Sequence, residues 1–201
     1  MEVFVSILFF CLVTSISPGP NNIMLMTSGL NHGVRKTIPH LLGIVIGFPV
    51  MVAAIGFGLG AIFVSYPSAH FFIKVVGVAY LLFLSYKIAN AGNPSVVESV
   101  REPFTFFQAA AFQWANPKAW VIGVGAIAAY TTQDAVFSGV SLIIVGYLSV
   151  GTISMLVWLF LGAALQRFLK NQTQVKYFNW VMAGLLVLSL FSMLASEVSK
   201  A

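Results

Sequence analysis

Acidic residues are scarce in this chain: five aspartates and glutamates among 201 residues, against ten lysines and arginines. Glu2, Glu98, Glu102, Asp134 and Glu197 all fall at the ends of apolar runs or between them, so no run carries a carboxylate. Charge of either sign amounts to 7% of residues, where a soluble domain has about 25%; this excludes an ordinary soluble globular protein. Cysteine occurs once, at Cys11. Without a partner it excludes a disulfide framework or a thiol relay within the chain, and it reads as a small buried hydrophobe. His32, His40 and His70 are dispersed, with no cysteine or carboxylate cluster near them, so neither a metal nor a cofactor is expected. His40, beside Pro39, remains a candidate for a cytoplasmic vestibule. The net charge of +5 is spread singly between apolar runs rather than clustered, which argues against nucleic acid as a partner.

What the chain has instead is apolar length. Hydrophobic residues make up 59%, the mean hydropathy is +0.96, and uncharged runs approach or exceed the roughly 20 residues that cross a bilayer. The short alternating segments of a membrane β-barrel are absent. The expected fold class is therefore all-α, a polytopic membrane protein with six transmembrane helices at about Val3–Thr27, Ile38–Val64, Phe71–Tyr86, Phe104–Tyr130, Val136–Leu165 and Tyr177–Ala195. The third is the shortest, because only twelve uncharged residues separate Lys74 from Lys87. Glu2 in place of a basic leader, with an apolar run longer than a signal peptide's, reads as a retained first span.

Six spans place Arg35, Lys36, Lys87, Arg101, Arg167, Lys170 and Lys176 on one side and only Lys74 and Lys200 on the other. Basic loops stay in the cytoplasm, so both termini are expected outside. The chain reads as a single transporter domain, 1–201, made of a three-helix half at 1–92, a connecting loop at 93–102 and a second half at 103–201. An odd number of spans per half makes the halves enter the membrane from opposite sides, the inverted-repeat arrangement of many secondary transporters. A shift of 99 residues carries Pro18 onto Pro117 and Gly47 onto Gly146.

The first span of each half is expected to be broken. Ser17, Pro18, Gly19, Pro20, Asn21 and Asn22 interrupt the first, and Gln113, Asn116, Pro117 and Lys118 surround a break in the fourth. Proline removes a backbone donor and clashes with the preceding turn. Unwound backbone is tolerated in hydrocarbon only where it faces protein or a water-filled cavity, so these ten residues are the candidate substrate-binding set. Lys118 is the one charge placed deep in a span, roughly 20 Å from the start of its helix at about 1.5 Å per residue. A lysine there costs about 2.5–3.5 kcal/mol on the mildest scale. Two compensations are open: it faces a polar cavity and attracts a substrate carboxylate, or it hydrogen-bonds carbonyls freed by Pro18 and Pro20 and braces the broken helices. With no intramembrane acid, a zwitterionic, neutral or lactone-type solute fits better than a dibasic one. Gly43 and Gly47, and Gly56 and Gly60, have the small-residue spacing of close helix packing, within the monomer or across a homodimer. The Asn171-Gln172-Thr173 glycosylation pattern falls on the side expected to be cytoplasmic and is discounted.

Ser-Pro-Gly-Pro-Asn at 17–21, His-Gly-Val-Arg at 32–35, the Gly43/Gly47 pair, Lys74-x-x-Gly77-x-x-Tyr80-Leu81 and Asn116-Pro117-Lys118-Ala119 together resemble the LysE/RhtB family of amino-acid exporters, over nearly the whole chain. The resemblance implies a carrier of the bacterial inner membrane, driven by the proton-motive force, whose partners are a small amino acid or derivative and the lipid bilayer. Gln108 departs from the glycine expected near the start of the fourth span. Two other classes stay open on the residues alone: a membrane scaffold or subunit without transport, and an intramembrane enzyme using Ser17 and Lys118 as a serine–lysine dyad.

Overall fold

A computed structural model describes residues 2–59, 67–90, 102–169 and 171–198. Of the connecting loop expected at 93–102, residues 93–101, with Glu98 and Arg101, lie outside them, as do Gly60, Lys170 and Lys200. Among the described residues the chain is helical and contains no strand: α1 (Glu2–Ile16), α2 (Pro20–Ala54), α3 (Pro67–Ala89), α4 (Phe106–Ala115), α5 (Pro117–Tyr130), α6 (Val136–Gly146), α7 (Thr152–Phe168) and α8 (Gln172–Val198), with π-helical turns at Ile55–Leu59 and Tyr147–Gly151. Two stretches, Pro20–Gly58 and Val136–Gln166, are long and apolar enough to cross a membrane. Side chains such as Phe9, Phe107, Phe137, Phe168 and Leu188 stand more than 60% exposed, which suits lipid and not water.

Both expected helix breaks occur. The first span stops at Ile16, crosses Ser17, Pro18 and Gly19 without helical geometry, and resumes at Pro20. In the fourth, Asn116 alone is extended (φ −88°, ψ 106°) between α4 and α5. Each break puts a proline at the first turn of the following half-helix, where its missing N–H and fixed φ do no harm. Thr105 and Gln108 form a capping box at the start of α4, which gives Gln108 a structural role.

The loop expected between Thr27 and Ile38 is not a loop. Helical turns continue through it, and the chain changes direction at one residue, Gly33, whose φ of +75° an L side chain rarely adopts. The helix at the expected third span is longer than expected: α3 starts at Pro67, giving 23 residues or about 35 Å.

α2 lies at the centre, with α7 and the short α4 along it, while α3 pairs with α8. Glycines permit the closest approaches. A Cβ at Gly29 would lie 2.5 Å from the Leu159 carbonyl, and one at Gly162 would strike the Met26 carbonyl, so α2 and α7 cross backbone to backbone. Gly43 and Gly47 face Phe106, Ala109 and Ala110 of α4; that seam is thus used inside the monomer. One apolar cluster joins Ile7, Cys11, Val52, Ala126, Ile143 and Tyr147, and another joins Leu25, Leu41, Ile44, Ala109, Met155 and Leu159. The cavity described next has residues of both clusters in its wall.

Candidate functional site

The break in α1/α2 leaves backbone carbonyls that helical bonding no longer satisfies, and a buried carbonyl needs a partner. Each finds one. Thr14 O accepts from the Ser17 hydroxyl (3.0 Å), Ser15 O from Asn22 Nδ2 (2.7 Å), and Ile16 O from the Trp158 indole N–H (3.2 Å). Ser17 O and Pro18 O both accept from Lys118 Nζ, at 2.7 and 3.1 Å, and Gly19 O takes the first bond of α2, from Ile23 N. Lys118 Nζ also lies 2.8 Å from Ser17 Oγ, so all three ammonium protons have acceptors in the break between α1 and α2. A cation at the carbonyl end of α1 is favoured by the helix dipole as well.

Lys118 reaches these acceptors because Gly19 has no side chain. A Cβ at Gly19 would stand 2.7 Å from Lys118 Cδ and 2.8 Å from Nζ. Beside this contact, Asn21 and Gln113 face each other as a reciprocal amide pair, with Asn21 Nδ2 donating to Gln113 Oε1 (2.8 Å) and Gln113 Nε2 donating to Asn21 Oδ1 (3.2 Å) and to Ala109 O (2.8 Å). Asn116 caps α5 by accepting from Lys118 N at 3.1 Å.

A cavity of about 60 Å³ opens between the two breaks, room for on the order of four to six waters. Thr14, Ser15, Asn21, Asn22, Asn116 and Lys118 form its polar wall; Ile44, Phe48, Ile122 and Met155 are among its apolar lining, with Tyr147 between. Of the ten residues expected from sequence, Asn21, Asn22, Asn116 and Lys118 line it. Ser17 and Pro18 stand behind Lys118 as its acceptors, Gly19 makes room for its stem, Pro20 and Pro117 start the two half-helices, and fully buried Gln113 sits beside the cavity holding Asn21. Among the described residues, no carboxylate lines the cavity. Because Pro20 has no N–H and Gly19 offers no side-chain cap, the amides of Asn21 and Asn22 are the first donors of α2, the positive end of its dipole.

Sequence reading missed Phe48, Met155 and Tyr147. Tyr147 accepts or donates a 3.1 Å hydrogen bond with Thr14 and meets the Phe48 ring edge to face at 4.7 Å between centroids. All three are ordinary core residues in a sequence, and nothing local marks them.

The two members of the serine–lysine pair lie 2.8 Å apart, and each has further partners: Ser17 Oγ is 3.0 Å from Thr14 O, and Lys118 Nζ is 2.7 and 3.1 Å from the Ser17 and Pro18 carbonyls.

The family model for the LysE type translocator matches residues 12–196. The chain belongs to the LysE type translocator family. It is 31% identical over 194 residues to a cysteine/O-acetylserine efflux protein of Klebsiella pneumoniae, covering 90% of this chain and 91% of that one. To the cysteine/O-acetylserine efflux protein of Escherichia coli strain K12 it is 31% identical over 183 residues, covering 89% and 90%. No solved structure matches it significantly. Family membership makes the chain a membrane translocator and not an enzyme.

Proposed function

We propose that this translocator exports small neutral or zwitterionic amino acids or their derivatives, such as threonine, homoserine or its lactone, and cysteine, across the bacterial inner membrane at the expense of the proton-motive force. The observation that carries the reading is the cavity between two broken helices, with a lysine and the uncapped start of α2 on one wall and no carboxylate in its lining. A substrate carboxylate suits the α2 amides and the Lys118 charge. The ammonium group is left with neutral oxygens and the Tyr147 ring, a weaker partner that suffices for one amine but not for the second charge of lysine or arginine. The cavity volume also favours a small solute. The names of the relatives, cysteine/O-acetylserine efflux proteins, point the same way.

The proposed architecture is six spans in two inverted halves, with both termini outside. Contact pairs support the repeat. A Cβ at Gly47 would meet Ala110 at 2.6 Å, and one at Gly146 would meet Cys11 Sγ at 2.8 Å. The shift of 99 residues that carries Gly47 onto Gly146 also carries Cys11 onto Ala110. Each half therefore rests its broken helix on the same glycine of the other half. Phe48 and Tyr147 are related by the same shift and touch each other, as two residues on a pseudo-two-fold axis do. Alternating access then consists of rocking one half on the other around the cavity.

Efflux from cells loaded by dipeptide feeding tests the solute class. Faster efflux of at least one of cysteine, threonine and homoserine than in empty-vector cells, with lysine and arginine unchanged, is expected; a response confined to lysine or arginine contradicts the reading. Topology is checked separately with single cysteines at Arg35, Lys87 and Asp134 and an impermeant maleimide. In intact cells only the cysteine replacing Asp134 is expected to react, and labelling at 35 or 87 would overturn the orientation and the inverted repeat together.

A further inference from the structure

His40 is a buried titratable side chain that the site does not use. It is 2% exposed, and neither ring nitrogen has a hydrogen-bond partner, although buried polar groups nearly always find one. The ring packs at 5.3 Å between centroids against Phe104, in the segment leading into α4. It lies seven residues past the Gly33 kink and one helical turn before Ile44, which lines the cavity. Three residues further on, Gly43 seals α2 against the backbone of α4.

We infer that His40 is the proton-binding site that couples transport, with a proton as its ligand; this rests on the proposed proton-driven export. Neutral imidazole is tolerated in the dry seam between α2 and α4, whereas an unpaired imidazolium there costs several kcal/mol. Protonation therefore favours opening of the seam, and loss of the proton favours its closure, so the state of His40 biases one packing of the halves over the other. In the orientation proposed above the seam is the cytoplasmic one, beside exposed Arg35 and Lys36. A proton entering from the outward-facing cavity past Ile44 opens the seam, leaves to the cytoplasm, and allows substrate to enter before the seam closes again. That order is solute–proton antiport.

The ionisable surroundings permit this. On α2 itself, His32 is half-buried, and Arg35 and Lys36 are exposed. On the segment packed against it, Glu102 is exposed two residues before Phe104. On α5, Lys118 is held by Ser17 and Pro18; α7 presents no carboxylate along its length. The repeat adds a second observation. Under the 99-residue shift His40 corresponds to Gly139 and Lys118 to Gly19. Buried His40 and half-buried Lys118 each stand where the other half has only a glycine, so a charge-dependent device exists at one seam and not at its counterpart.

The test uses everted membrane vesicles holding the full chain, with radiolabelled cysteine, threonine and homoserine as probes. Concentrative uptake is driven by an acid lumen, and solute-for-solute counterflow, which moves no net proton, is measured in parallel. His40→Gln and His40→Phe at wild-type abundance are expected to lose gradient-driven uptake by about tenfold or more, the range of a coupling free energy, while counterflow stays within about threefold. Driven uptake retained in either variant overturns the assignment. Loss of counterflow together with driven uptake in both variants makes His40 a packing residue and also overturns it. A wild type that exchanges solute but ignores the pH gradient removes proton coupling and His40 with it, and a wild type that moves none of the probes in either mode contradicts the proposed exporter as well.

Discussion

Replacing Lys118 by alanine is expected to reduce efflux by roughly 10–150-fold while leaving the protein in the membrane at near-normal abundance. The magnitude follows from the contacts. Lys118 Nζ satisfies Ser17 O and Pro18 O and touches Ser17 Oγ, and a hydrogen bond from a charged group is worth about 1.5–3 kcal/mol net. Losing it leaves two carbonyls at the end of α1 without their donor, so the half-helix is no longer tied to α5. The same three bonds have a consequence for transport: a substrate carboxylate that engages Lys118 competes with Ser17 and Pro18 for its protons, and binding loosens the tie between the halves. Lys118→Met keeps the stem over Gly19 and removes the charge, so it should fail as alanine does. Efflux of the responsive amino acid, normalised to membrane abundance by immunoblot, decides the matter; a Lys118→Met variant with wild-type efflux would show that the ammonium group serves neither substrate nor brace.

A larger effect, on stability and not on flux, is expected at Gly162. Most helical glycines gain about 0.5–1 kcal/mol from alanine through lower chain entropy. At Gly162 the added Cβ strikes the backbone carbonyl of Met26, which cannot rotate away as a side chain would. Overpacking of this kind costs about 1–3 kcal/mol, so the clash outweighs the helix gain even for alanine, and leucine should prevent accumulation of folded protein. Gly184 and Gly125 provide the control, since a Cβ at either meets nothing within 4 Å. The thermal midpoint of the purified protein is expected to fall for Gly162→Ala and to hold or rise for Gly184→Ala. Equal midpoints for the two would mean that α2 and α7 do not cross as closely as described.

The pattern of what sequence reading anticipated follows from how far each effect acts along the chain. Proline and glycine act on their own backbone, so the breaks at Pro18 and Asn116–Pro117 were legible, and so was the absence of any acid in the apolar runs. Gly33 shows the limit of that logic. It falls between two expected spans, yet helical turns run up to it on both sides and the single residue with positive φ makes the kink between them. α3 is longer than its apolar stretch for a related reason: its polar ends are helical, and hydropathy registers only its apolar middle.

Partners distant in the chain were not legible. Lys118 was expected to need compensation, but sequence left open whether substrate or carbonyls supply it; the structure places Ser17 and Pro18 at hydrogen-bond distance, about a hundred residues away. Phe48, Tyr147 and Met155 carry no local mark of function, and the exposure of His40 could not be read from its neighbours. By itself the sequence determined a helical membrane chain, the two places where its helices break, and a lining without acid, since these depend on composition and on single-residue backbone geometry. The tertiary structure decided which side chains meet between the breaks, which glycines bear helix crossings, and that one histidine is sealed without a partner. Those depend on how helices distant in the chain pack against each other, which no local pattern encodes.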